Sequence, residues 1–362
     1  MNTANDKSAD RHSKPQMELH RFGRTGLDLP GIVYGTSCLG NLYEALSLET
    51  KLNITREWFA HHDPPAVIDT AGKYGAGLAL ETIGRNLRAL EIPSEQIVIS
   101  NKLGWKRVPL RAAEPTFEPG VWANLDFDAE QCISYDGIYE CWLQGCELLG
   151  EGYQPQLLSV HDPDEYLAAA TSAKQRDQRR GDILGAYQRL QELKNAGHAA
   201  GIGVGAKDWR VIAEIAGAVE LDWVMLANSL TIFRHPPELL EFVKSLVDRG
   251  TAIVNSAVFH SGFLVGGPFF DYRRLSASEP DDQPIYAWRD AFHQLCEKHD
   301  VVPAVACVQF ALSPPGVAAI SLNTSRPDHV VRNVESITTA VPAAFWGEAK
   351  AKKLIDADYP YM

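Results

Sequence analysis

An aspartate, a tyrosine, a lysine and a histidine stand at the ends of short apolar runs along this 362-residue chain. Val67-Ile68 leads into Asp69, and Tyr74 follows five residues later, between Lys73 and Gly75. Ile97-Val98-Ile99-Ser100-Asn101 leads into Lys102, and Leu157-Leu158-Ser159-Val160 into His161 and Asp162. Runs of this kind read as buried strands. In parallel α/β proteins the C-terminal end of a strand is where ligands meet the chain. A tyrosine hydroxyl near a lysine ammonium has its phenolate form favoured, so the pKa of Tyr74 is expected to fall towards the working range. A tyrosine tuned in this way can move a proton on or off an alcohol or carbonyl oxygen.

Four such side chains share one site only if their strands lie side by side with the ends aligned. Apolar runs predict strands over 32–34, 67–69, 97–101, 157–161, 202–204, 223–227, 252–255 and 317–321. Helical spacing predicts helices over 47–61, 77–89, 135–149, 183–196, 209–218, 237–250 and 287–310. In the first, Leu48, Leu52, Trp58 and Phe59 are spaced for a packed face behind the capping residue Ser47. Eight strands alternating with helices argue for an α/β protein of the (β/α)₈ TIM-barrel type. A doubly wound sheet, with its site at a topological switch point, is the alternative. Ahead of the first strand, Leu19-His20-Arg21-Phe22 and Leu27-Asp28-Leu29 flank Gly23-Arg24-Thr25-Gly26, which reads as a small hairpin. Two long loops follow predicted strands. Residues 105–128 carry Trp105, Phe117, Trp122 and Phe127, and residues 256–284 carry Phe259, His260, Phe269 and Phe270. Loops of this length are commonly functional, and 105–128 would lie over the barrel mouth. The polar stretch 166–182 reads as a solvated segment. No linker or composition break divides the chain, which predicts one domain over 16–362 after a polar, disordered arm over 1–15.

A net charge of -12 argues against nucleic acid and anionic membrane as partners. No apolar run reaches the ~20 residues a membrane span needs. The cysteines Cys38, Cys132, Cys141, Cys146, Cys296 and Cys307 form no Cys-x-x-Cys pair and no zinc-like spacing. They read as reduced thiols of a cytoplasmic enzyme. Gly75-Ala76-Gly77 lacks the third glycine of a dinucleotide fingerprint, and Gly201-Ile202-Gly203-Val204-Gly205 has the wrong spacing. Gly35 and Gly40 have P-loop spacing, but Asn41-Leu42 stands where Lys and Ser or Thr are required. His61-His62-Asp63 and His161-Asp162 are adjacent residues that point apart on a strand, and no metal is expected.

Asp69, Tyr74, Lys102 and His161 resemble, residue by residue and in chain order, the catalytic tetrad of the aldo-keto reductases. The resemblance runs over about residues 19–337. It implies a barrel whose N-terminal hairpin plugs the bottom and whose long loops border the C-terminal mouth. It also implies a nicotinamide dinucleotide lying extended across that mouth. On the residues that match, Gly35, Thr36, Asn228 and Ser256 would contact the cofactor, with Asn323, Ser325, His329 and Asn333 at its adenosine end. NADP-preferring relatives carry Lys or Arg at the positions of Asn323, Ser325 or His329. A 2′-phosphate wants cationic donors, so NAD is expected, with NADP possible through Arg326 and Arg332. The family's Ser-Asn pair after the fifth strand is replaced by Gly205-Ala206, followed by Lys207.

A narrower resemblance rests on Gly40-Asn41-Leu42-Tyr43, Ser134-Tyr135-Asp136-Gly137 and Asn255-Ser256-Ala257-Val258-Phe259. These are similar to the aldose 1-dehydrogenase branch, which oxidises L-fucose, D-threo-aldoses or L-galactose to lactones and has pyridoxal 4-dehydrogenase as a close relative. His260-Ser261-Gly262-Phe263 departs from that pattern. The resemblance implies a small sugar or aldehyde as substrate, with Trp105, Tyr43 and Trp122 as the aromatics that would meet it. Two other readings stand beside it. One is a broad NADPH-dependent aldehyde or ketone reductase. The other is a subunit that senses nucleotide without turning it over. Nothing in the sequence fixes an oligomeric state.

Overall fold

Alternation along a strand sends successive side chains to opposite faces, and here it separates a lumen from a helix-facing surface. The computed structural model describes residues 17–362; the arm expected over 1–15 lies outside the described residues. In chain order, β1 (Leu19–Arg21) and β2 (Asp28–Pro30) form an antiparallel hairpin. Then follow β3 (Ile32–Gly35), α1 (Leu48–Trp58), β4 (Ala66–Ala71), α2 (Leu78–Ala89) and β5 (Ile97–Leu103). An antiparallel pair, β6 (Trp105–Pro109) and β7 (Phe127–Gln131), precedes α3 (Tyr135–Leu149) and β8 (Leu157–His161). The chain continues through α4 (Pro163–Ala168), α5 (Ala173–Asn195), β9 (Gly201–Ala206), α6 (Trp209–Ala218), β10 (Trp223–Ala227), α7 (Pro237–Asp248) and β11 (Ala252–Ser256). A two-residue pair, β12 (Phe269–Phe270) and β13 (Arg273–Arg274), leads to α8 (Gln283–Lys298), α9 (Pro303–Leu312), β14 (Val317–Leu322), α10 (Asp328–Thr338) and α11 (Ala343–Ala351).

Eight strands close into a barrel in chain order, β3-β4-β5-β8-β9-β10-β11-β14, with every neighbouring pair parallel. Val33, Val67, Val98, Leu157, Trp223, Met225, Ala252 and Val254 fill the lumen, and the hairpin adds Phe22 and Leu29 to the same cluster. The β1–β2 hairpin therefore plugs the barrel bottom. The intervening residues, such as Ile68, Ile99, Leu158 and Val224, face outward onto the helices. Two residues beyond each lower lumen residue, the inward positions turn polar at Asp69, Ser100 and Ser159, and higher still lie Lys102 and His161. The sequence pattern that packs the barrel thus also delivers polar groups to its C-terminal end.

Three segments differ from the sequence reading. The stretch 166–182 is not merely solvated: it closes α4 and supplies the first half of α5, where Ser172 caps the helix by accepting from the Gln175 amide. Tyr166 donates to Asp182 at 2.8 Å and lies under Arg179, so polar pairs hold a helical half with little apolar surface. The helix expected over 287–310 is two helices, because Asp300 turns left-handed at φ 54° and Pro303 lacks the amide needed to continue. The loop over 105–128 begins and ends in the strands β6 and β7, which makes it a twisted hairpin with a long tip.

Candidate active site

Register brings the four resembling residues together. Asp69 pairs with Ser100 across β4 and β5, so Lys102 emerges two residues higher on the neighbouring strand. Its ammonium donates to Asp69 Oδ2 and lies 3.4 Å from the Thr70 carbonyl oxygen. Ser100 Oγ donates to Asp69 Oδ1 at 3.1 Å. The same ammonium lies 4.6 Å from the centre of the Tyr74 ring, and the His161 ring meets Tyr74 edge-on at 5.7 Å. Asp69, Lys102 and His161 are all buried. Two glycines make the approach possible. A Cβ on Gly205 would come within 2.9 Å of Lys102 Cδ, so the bare strand β9 lets the lysine stem cross the lumen. A Cβ on Gly75 would lie 2.2 Å from the Gly40 carbonyl oxygen, so the turn carrying Tyr74 rests directly on the backbone at Gly40. The glycine motifs that failed as nucleotide fingerprints serve packing.

The electrostatics of this pocket differ from the sequence expectation at one group. The Tyr74 phenol is pushed well above its ordinary value, first by burial and then by the carboxylates of Asp69 and Asp162. The Lys102 ammonium is paired to Asp69, which weakens its pull on the phenolate. Asp69 is itself raised by burial, with Lys102 and Ser100 opposing the shift. His161 is driven well below the usual imidazole range by burial and by Lys102 and Lys73, so it is neutral. Its Nδ1 is buried without a hydrogen-bond partner among the described residues.

The tip of the β6–β7 hairpin folds over Tyr74. Asp128 holds it by accepting from the Thr116 amide at 2.9 Å and the Thr116 hydroxyl at 2.8 Å. Ala76, Phe117, Trp122 and Ala129 form a small buried cluster against Tyr74, Trp105 and Leu42. The Trp122 ring lies 5.9 Å from Tyr74. Trp105 is half-buried at the base of β6, and Tyr43 is farther out, stacked on Phe269 at 4.3 Å. Of the three aromatics named from sequence, Trp122 is thus the one set against the phenol, while Tyr43 joins the second long loop. That loop is tied down by His260, which contacts Thr231 Oγ1 at 2.8 Å and Asp271 Oδ1 at 2.7 Å. Sequence reasoning passed over Lys73, a buried ammonium bonded to Asp162 at 2.7 Å, Glu118 at 2.8 Å and Glu165 at 2.9 Å. The signal for it was a lysine beside Tyr74 within an otherwise small and apolar turn.

The positions expected to hold a cofactor lie on the same barrel end. Gly35 ends β3, and a Cβ there would come within 3.2 Å of Asn323 Cβ and 3.4 Å of Ser321 Oγ. Thr36 donates its hydroxyl to the Asp69 carbonyl at 2.9 Å, and Ser256 to that of Leu226 at 3.2 Å. Asn228 follows β10 in a left-handed conformation, and its Oδ1 is buried without a partner among the described residues, as is Ser229 Oγ. Such open acceptors fit a ligand carrying amide or hydroxyl donors. Asn323 Nδ2 donates to Ser37 Oγ at 2.9 Å. His329 and Asn333 lie four apart on α10 and so share a face, with Ser325 in the turn before it. Asp328 accepts from Arg326 at 3.1 Å and lies 3.9 Å from Arg332, so one carboxylate engages both arginines of this rim.

Two curated relatives match this chain over most of their length. It is 28% identical to the pyridoxal 4-dehydrogenase of Microbacterium luteolum over 353 residues, 93% of this chain and 98% of that one. It is 28% identical to the D-threo-aldose 1-dehydrogenase of a Pseudomonas species over 341 residues, 91% and 96% of the two chains. Its fold is like that of an aldo-keto reductase from Bacillus halodurans solved in its holo form, with a TM-score of 0.68 at 18% identity over 94% of this chain and 97% of that one. It is also like the glycerol dehydrogenase of Gluconobacter oxydans, with a TM-score of 0.67 at 15% identity over 95% and 96%. The model of the Aldo/keto reductase family matches residues 31–353, from just ahead of β3 to just beyond α11. An eight-stranded parallel barrel with this end-of-strand pocket, matched by that model along nearly its full length, belongs to the aldo/keto reductase family of NAD(P)-dependent oxidoreductases.

Proposed function

We propose that this protein oxidises a small cyclic hemiacetal, an aldose of the L-fucose or D-threo type, at its anomeric carbon to the lactone, with NAD as the oxidant. The observation that carries the reading is the convergence of Asp69, Lys102, Tyr74 and His161 at the barrel end, with Lys102 paired to Asp69 and lying 4.6 Å from the Tyr74 ring. In this reading Tyr74 removes the proton of the anomeric hydroxyl. Neutral His161 hydrogen-bonds the same oxygen and orients it, consistent with its open Nδ1. Lys102 and Asp69 set the charge around the phenol. An oxidised nicotinamide, when bound, supplies the acceptor for the hydride leaving the anomeric carbon and a positive charge that favours the phenolate. In the opposite direction Tyr74 returns its proton to the carbonyl oxygen. Gly35, Thr36, Asn228, Ser256, Asn323, Ser325, His329 and Asn333 are the residues we assign to holding the dinucleotide. Asn228 supports this through its unpartnered buried oxygen.

The preference for NAD rests on the rim at α10. His329 is lowered by burial and by Arg326, which keeps it neutral, and Arg326 and Arg332 face the carboxylate of Asp328. On that rim the two arginines share one carboxylate, which lowers the net positive charge offered to a 2′-phosphate. Trp105, Trp122 and Tyr43 are the aromatics we assign to the substrate wall. Pyridoxal, named in one relative, also closes to a cyclic hemiacetal and would undergo the same oxidation. A reducing, cytoplasmic setting suits the six free thiols.

The test is the absorbance of NADH or NADPH formed from NAD or NADP, with L-fucose, L-galactose, D-arabinose or pyridoxal supplied singly. Turnover of one of these with NAD is the expected result. Silence with all four, together with NADPH-driven reduction of simple aldehydes, overturns it in favour of a general reductase.

A further inference from the structure

Lys73 precedes Tyr74 directly, and its side chain is only 3% exposed. Three elements supply its carboxylates. Asp162 follows β8 directly after His161, Glu165 lies on α4, and Glu118 lies in the β6–β7 hairpin tip. Glu118 bonds Lys73 through Oε1 and accepts from the Trp122 indole N–H through Oε2 at 2.7 Å. The same ammonium lies 4.8 Å from the centre of the Trp105 ring, within cation–π range. Lys207 bonds the other oxygen of Glu165 and balances part of the acidic cluster. One buried charge therefore contacts Trp105 through its ring face and Trp122, which lies against the phenol, through a bridging carboxylate.

We propose that Lys73 is a positioning residue that locks the hairpin tip over the barrel mouth, holding Trp105 and Trp122 as the wall against which substrate binds. This rests on the assignment of those tryptophans to the substrate side under the function proposed above. The clamp has no counterpart in the tetrad: Lys73 holds the tryptophans through these contacts and reaches the phenol through space, where its charge opposes the neighbouring carboxylates. Asp162 Oδ2 accepts from Lys73 Nζ at 2.7 Å and lies 3.6 Å from His161 Nε2. A wall that does not touch the reacting oxygen contributes equally to bound substrate and transition state, so its loss raises KM and leaves kcat in place.

The experiment uses Glu118→Gln, Lys73→Met and the double variant, assayed with NAD and whichever of the four compounds above the wild type oxidises. A charged hydrogen bond is worth about tenfold or more, so Glu118→Gln is expected to raise the substrate KM by about tenfold. The KM for NAD and kcat should stay within about twofold. The double variant should add little to Lys73→Met, since both break one clamp. A second readout needs no turnover. Arg111, in the same tip, has a side chain 78% exposed and is a trypsin site. In Glu118→Gln, cleavage after Arg111 should be about tenfold faster than in wild type as the tip opens. Unchanged cleavage in both single variants, or an unchanged substrate KM in an active Glu118→Gln enzyme, overturns the clamp. A wild type that oxidises none of the four compounds defeats the proposed substrate class, and the cleavage rates then decide the clamp alone.

Discussion

Burial and the carboxylates of Asp69 and Asp162 hold the proton on Tyr74, because the ammonium of Lys102 is already paired to Asp69. The direction has consequences for pH. The proposed oxidation needs the phenolate, so kcat/KM for the sugar should climb from neutral into the alkaline range. Reduction needs the phenol and should be flat across neutrality. His161 is shifted the other way, below the ordinary imidazole range, so it stays neutral through that window and contributes no limb near pH 6.5. A pH–rate profile in each direction checks both signs; an inflection near 6.5 would mean that His161 titrates in the free enzyme. General acid–base catalysis contributes about 10²–10⁴-fold. Tyr74→Phe should therefore lose at least about 10²-fold in turnover, with the nucleotide still bound and the circular dichroism spectrum unchanged. Near-normal turnover in that variant would remove Tyr74 from the chemistry.

At the scale of elements, α10 carries the rim that we assign to the adenosine end of the dinucleotide. Asp328 opens the helix, where a negative charge suits the positive end of the dipole. The same carboxylate engages Arg326 and Arg332. Asp328→Asn releases both guanidinium groups and leaves the helix N-terminus more positive. The ratio of kcat/KM for NADP over NAD should rise by about tenfold, the scale of one or two charge-assisted hydrogen bonds; an unchanged ratio would show that neither arginine reaches the 2′ position. Elements also mark where sequence reading succeeds. Strands with continuous β-branched runs, such as β4 and β5, were legible to within two residues because both faces are buried. The first half of α5 was not legible, since its partners are polar pairs such as Tyr166–Asp182 rather than an apolar stripe.

For the whole molecule, the plug and the proposed active site sit at opposite ends of the barrel. Phe22 from the plug is 2% exposed and lies 6.2 Å from the Trp223 ring, inside the lumen cluster that closes the bottom. Phe22→Ala should cost about 3–5 kcal/mol, the range for a buried phenylalanine truncated to alanine. Thermal unfolding would register this as a lower Tm. The KM values of the surviving enzyme should not move, because the tetrad side chains belong to the other end of the strands.

Local information sufficed for what depends on residue type and period. The alternation of βα units and the polar residues Asp69, Lys102 and His161 at the strand ends are written into apolar runs, because a strand buried on both faces must be apolar until it reaches the mouth; the plug and the grouping with Tyr74 came from the family resemblance. The charge on Tyr74 could not be read that way. It depends on which carboxylate claims Lys102, and that is a distance between side chains 33 positions apart in the chain. Lys73 was hidden for the same reason. A lysine in a glycine turn reads as solvated until Glu118, Asp162 and Glu165, drawn from three separate elements, converge on it. Burial and long-range charge are properties of the assembled barrel, and only the tertiary structure decides them.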